Sequence, residues 1–184
     1  MALIPATETR VEGEPLPRIR VKLGSDRRPL EERGERKYLG TSTFGDGSLL
    51  EPTHVVILKI LARDLTLAGI SRRASIRDQE QPLVLEVSLD RCAASFGEGL
   101  ENLLIVLPTS RIRAVCKMGL LLKDLDGRTL LQEEIETEAT GSASMLSGLE
   151  SSAARVLAQA IGEAVEKAIV SLDRIRTRTK ASPP

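Results

Sequence analysis

Arg111 to Lys123 (RIRAVCKMGLLLK), Asp124 to Gly127 (DLDG) and Thr129 to Glu138 (TLLQEEIETE) follow one another with only Arg128 intervening. In the first stretch Ile112, Ala114, Cys116, Met118, Leu120 and Leu122 alternate with Arg111, Arg113, Lys117 and Lys123. A period of two with one apolar and one basic face predicts a half-buried strand. Asp124 to Gly127 reads as a hairpin turn in which Gly127 is free to take a positive φ. On the return, Leu131, Ile135 and Thr137 face in, with Glu133 an imperfection, while Gln132, Glu134, Glu136 and Glu138 face out. Basic residues on one strand thus meet acidic ones on the other, in pairs worth a few tenths of a kcal/mol each.

Outward from the hairpin, Leu83, Leu85, Val87 and Leu89 alternate as another strand, and so do Ile19, Val21 and Leu23 within residues 18–23. A first helix fits Pro52 to Ala68, with Pro52 at its first position and Gly69 at its C-terminal cap. Val55, Leu58, Leu61, Ala62, Leu65 and Ala68 make one face; Val56, Ile57, Ile60 and Leu67 spill outside it, so the helix needs cover on more than one side. Gly141 to Gly148 is small and polar and reads as a linker. A second helix follows over about 149–175, with Ala153, Leu157, Ala160, Ile161, Ala164, Ala168, Ile169, Leu172 and Ile175 at spacings of three and four. The expected fold is α+β: an antiparallel-rich sheet of about four strands with two helices packed on one face, in the order β-α-β-β-β-α. One domain over 18–175 is expected, with a flexible lead-in at 1–17 and a basic, Pro-ending tail at 176–184.

The composition excludes several functions. The chain has 26 Lys and Arg against 26 Asp and Glu, so no global field gathers phosphates or anionic lipid. It has no Trp, one Tyr (Tyr38) and two Phe (Phe44 and Phe96), too few aromatic faces for stacking bases. Nucleic acid is therefore not an expected partner. No stretch reaches the ~20 apolar residues of a membrane-spanning helix, and the first residues lack the basic start and apolar run of a signal peptide.

Candidate chemistry falls to plainer readings. His54 is the only histidine and sits in the first turn of a helix, far in sequence from both cysteines. Gly40 and Gly45 have the outer spacing of a phosphate loop, but Asp46 stands where the lysine belongs and would repel phosphate. Asp124 and Asp126 belong to a turn, and the carboxylates of Glu133 to Glu138 mostly to a solvated face. Counting from an inward Leu89, Cys92 points out while Cys116 points in, so a bond between them would need an intervening bulge. Two free thiols are the simpler expectation. No catalytic residue, metal or cofactor is predicted.

Several short features share one layout. A first strand ends in Ser25-Asp26-Arg27-Arg28; Leu39-Gly40 lies in a loop; a helix closes on Leu65, Ala68 and Gly69. Then come Leu83, Leu85, Val87 and Leu89, a long hairpin with Asp126-Gly127 and Leu130, a small-residue linker and an Ala-rich helix. Over residues 18–172 this resembles the YajG-like bacterial envelope lipoproteins. The resemblance implies a periplasm-facing domain tethered through a lipid anchor not present in this chain, acting by binding rather than catalysis; without a lipoprotein signal in the native gene, the expectation is cytoplasmic. The expected contact is an envelope protein, or a second copy of the chain, meeting Val56, Ile60 and Leu67 on the flank of the first helix. The alternative is a small-molecule or anionic-polymer binding module using the 24–50 loop, with Arg27 and Arg28 as anion contacts.

Overall fold

A computed structural model describes residues 10–34, 43–77, 81–96, 109–144 and 149–180. Its elements in chain order are β1 (Ile19–Asp26), β2 (Thr43–Phe44), α1 (Thr53–Leu67), β3 (Ala74–Ser75), β4 (Leu83–Phe96), β5 (Thr109–Asp124), β6 (Thr129–Ser144) and α2 (Leu149–Lys180). The long elements keep the expected order. The sheet differs: among the described residues it has six strands, ordered β3-β1-β4-β5-β6 with β2 on β4, and it is mixed rather than four-stranded and mainly antiparallel.

The difference has a physical basis. β1 runs parallel to β4, from Ile19 opposite Leu83 to Asp26 opposite Leu89, and parallel to β3. Parallel neighbours need a crossover rather than a tight turn, and α1 lies on the connection between β1 and β4. Alternation looks the same in parallel and antiparallel strands, so the sequence pattern does not reveal direction. β2 pairs antiparallel with Ser95 and Ala94, beyond the part of β4 that β1 covers.

The β4–β5–β6 meander is longer than its apolar alternation. β6 continues through Gly141 to Ser144, opposite Ile112 to Thr109, where a linker was expected. Leu103 to Leu107, an apolar run cut off by Pro108, lies outside the described residues. The turn closes as read: Asp124 Oδ1 accepts from the Asp126 and Arg128 amides at 3.1 and 2.8 Å.

One core joins the inner faces of β1, β4, β5 and β6 with both helices. All six predicted inward residues of β5 are buried, as is the predicted stripe of α2 as far as Leu172; its last member, Ile175, is half-buried. Thr137 faces in and is satisfied by donating to the Ala160 carbonyl at 2.7 Å. On the outer face, Arg113 meets Glu138 at 2.7 Å and Lys117 meets Glu134 at 3.5 Å. Lys123 instead joins Lys22 around Glu86 on β4, at 3.1 and 2.9 Å.

The two ends of the domain are less free than expected. Val11 and Leu16 donate backbone hydrogen bonds to Ala68 and Ile70 at 3.0 and 2.7 Å, so the lead-in is docked from there on. α2 runs on to Lys180, and Arg176, placed in the tail by sequence, is buried within it.

Candidate functional site

The segment joining β1 to α1 contains the most elaborate polar cluster described. β1 carries Asp26 to its last position, and Arg28 follows it under the start of α1. The Arg28 guanidinium makes four hydrogen bonds: Nε and Nη2 to Asp26 at 2.9 and 2.7 Å, and Nη1 and Nη2 to Asp46 at 2.9 Å each. Asp46 Oδ1 also accepts from the Thr53 amide at 2.8 Å and from its hydroxyl at 2.5 Å. His54 Nδ1 lies 3.9 Å from Asp26 Oδ2.

Local sequence explains the arrangement. α1 begins after Pro52, whose side chain can accept nothing, so the first helical amides need an acceptor from elsewhere. Asp46 provides it from seven residues upstream and adds negative charge at the positive end of the helix. Gly45 lets this happen: a Cβ there would lie 2.3 Å from the Glu32 carbonyl oxygen, which the Asp46 amide approaches to 2.9 Å. The Gly40 to Gly45 spacing thus includes a packing glycine, and the carboxylate that looked wrong for phosphate serves an arginine and a helix.

The electrostatics follow from the geometry. Burial opposes ionisation of Asp26 and Asp46, but the hydrogen bonds from Arg28 outweigh it and hold both carboxyls below the ordinary range. Burial likewise works against the Arg28 charge, and the two carboxylates more than compensate. The Arg28 charge is fully met, and the structural lock as a whole carries one net negative charge beside the positive end of α1.

Each sequence-predicted site residue has a definite place. Arg28 is 2% exposed and its charge is already met, so it offers nothing to an anion, a correction to the anion-contact reading. Arg27 stays outside and pairs with Asp90 at 2.7 Å. Val56 and Ile60 are each 7% exposed and belong to the core, whereas Leu67 is 57% exposed at the far end of the helix. Two of the three residues expected to meet a partner are therefore covered by the chain itself, because α1 packs against β1, β3 and α2 together.

Sequence reasoning missed Leu50. It is 91% exposed and separated from α1 by Glu51 and Pro52. It borders a groove of about 370 Å³ between the 43–50 segment and the first turns of α2. Phe44, Leu49 and Ala154 give the groove apolar walls, and Glu150 and Arg155 add charge. A Leu49-Leu50 pair in a polar loop carries no periodicity, so no pattern in the sequence marks Leu50 as exposed. A second cleft, about 630 Å³, lies between β6 and α2 and is lined by Glu133, Glu136, Glu163, Glu166, Lys167 and Arg174 among others.

No family model matches the chain, and no curated protein matches it in sequence. Among solved structures, the chain is similar to protein XCC0632 from Xanthomonas campestris, of family DUF330, with a TM-score of 0.64 at 10% identity over 97% of each chain. At that identity the likeness is one of fold. A candidate lipoprotein from Caulobacter crescentus CB15 aligns at 15% identity and a TM-score of 0.46, over 70% of this chain and 85% of that one.

Proposed function

We propose that the chain is a non-enzymatic accessory or assembly domain of the bacterial cell envelope that works by holding another protein. The observation that carries the binding part is Leu50. A large aliphatic side chain left 91% exposed beside a groove with apolar walls and a charged rim has the anatomy of a small protein-docking site. The partner surface thereby moves from the flank of α1, where Val56 and Ile60 are core, to the segment just before it. The envelope part rests on the YajG-like layout of residues 18–172. Membrane contact, on this reading, is made by a lipid anchor outside the described domain.

The test uses the native gene in its own host. A photo-crosslinking residue is placed at Leu50, the cells are fed labelled palmitate, and the membranes are fractionated. The expected result is palmitate-labelled protein in the envelope fraction with one discrete adduct at Leu50. Leu50→Glu should abolish that partner's binding while leaving the melting temperature within a degree or two, since exposed substitutions cost about 0.5 kcal/mol or less. Unlabelled protein in the cytosol with no adduct overturns the proposal.

A further inference from the structure

From Leu89, strict alternation would send Cys92 to the outer face of the sheet. The register shifts between Leu89 and Arg91, leaving Asp90 as an extra residue against β5, and the strand resumes one step out of phase. Cys92 is turned inward and lies directly opposite Cys116. Glu32 holds this stretch in place. Its carboxylate accepts from the Cys92 amide at 2.8 Å and from Arg91 Nε at 3.2 Å. Because the Cys92 amide is used on the side away from β5, the two cysteines form a non-hydrogen-bonded cross-strand pair. Such pairs have Cα atoms roughly 4.5 Å apart, inside the ~4.4–6.8 Å that a disulfide spans. The two Sγ atoms are 3.2 Å apart, and both residues are fully buried.

We propose that Cys92 and Cys116 form an intramolecular disulfide that closes as the chain folds and is then sealed in the core. The oxidant is a disulfide of the form RSSR. One cysteine thiolate attacks a sulfur of RSSR and expels RS⁻. The second thiolate then attacks the protein sulfur of the mixed disulfide and expels the other RS⁻. Two electrons pass from the cysteines to RSSR, and the two thiol protons end on two RSH. The native fold disfavours late oxidation. The neighbouring Cys116 and complete burial push the Cys92 thiol up, so the thiolate that must attack is scarce once the core has formed.

The test is refolding in a redox buffer. The reduced, denatured chain is refolded in mixed reduced and oxidised glutathione, quenched with acid, unfolded again and treated with maleimide. The expected product carries no label, has lost two hydrogens, and yields a peptide joining Cys92 to Cys116. It should melt about 5–10 °C above the reduced protein. In Cys116→Ala the melting temperature should not respond to reductant. Oxidised glutathione added to folded, reduced protein should leave both thiols unoxidised for hours, as read by maleimide after acid quench and unfolding, until mild denaturant opens the core. Refolded protein with a native spectrum and two labelled cysteines overturns the proposal, as does oxidation that yields only glutathione adducts or crosslinked dimers. Should the chain aggregate on refolding, secretion to a bacterial periplasm and acid trapping decide: a bridge supports the proposal and two free thiols overturn it.

Discussion

Arg28 is removed from water with its charge intact, which without partners would cost several kcal/mol. Asp26 and Asp46 supply the compensation, so the three residues behave as one unit. Arg28→Met should leave two carboxylates facing each other with no cation and destabilise the fold by about 3–5 kcal/mol at neutral pH. The pH dependence has a definite sign. Both folded-state carboxyls sit below their unfolded values, so their contribution is present above the ordinary carboxyl range and fades as pH falls through the folded values. Urea unfolding of wild type and variant should therefore differ most at neutral pH and converge below about pH 4. A gap that stays constant with pH would show that Arg28 does not govern these carboxyls. Little of this unit was legible in the sequence. Arg28 in a mixed-charge run looks like any surface arginine, and Asp46 lies eighteen residues away with no periodic signal linking them. The missing cap at Pro52 was the available clue.

At the scale of the element, α1 shows where periodicity stops being informative. Its apolar residues cover more than half the circumference, so the pattern identifies a helix without identifying which side is inside. The structure chooses Val56, Ile57, Ile60, Leu61 and Leu65, because the helix is wedged between β1, β3 and α2. Ile60→Ala should cost about 2–4 kcal/mol, and Leu67→Ala no more than about 0.5 kcal/mol. Chemical denaturation with an unchanged m-value checks both. Ile60→Glu should leave no folded species, and a folded, non-associating Ile60→Glu would restore the original partner face. The hairpin and α2, by contrast, were readable almost in full, since each buries a single clean face. The two-residue strands β2 and β3 were not, because a period cannot be seen in two residues. Nor was the bulge at Asp90, where a one-residue change of phase turned Cys92 from the outer face to the core.

Across the whole molecule, the two ends of the domain hold each other. Arg176 Nη2 donates to the Glu12 carbonyl at 2.6 Å, while Nε donates to Asp173 at 2.8 Å within α2. Gly13 sits between with φ +125°, and a Cβ there would lie 2.4 Å from Arg176 Nη1. That φ calls for glycine, and a side chain there would push the guanidinium aside. The segment beyond is fastened to the end of α1 through Val11 and Leu16. The clasp thus joins the chain's entry, the crossover helix and the last turns of α2, elements that no local pattern relates. Its loss should be felt locally. In Arg176→Ala the amides of Val11 and Leu16 should exchange with solvent about tenfold faster or more, equivalent to losing about 1.4 kcal/mol or more of local protection, because the segment can open without the sheet opening. Gly13→Ala should do the same by displacing the guanidinium. The amides of β5 and β6 should keep their protection in both variants, since their hydrogen bonds lie within the meander. Hydrogen exchange read by mass spectrometry separates the cases. Faster exchange confined to residues 10–17 means a peripheral clasp, whereas faster exchange throughout the sheet would mean that Arg176 supports the core and that the domain opens as a single unit.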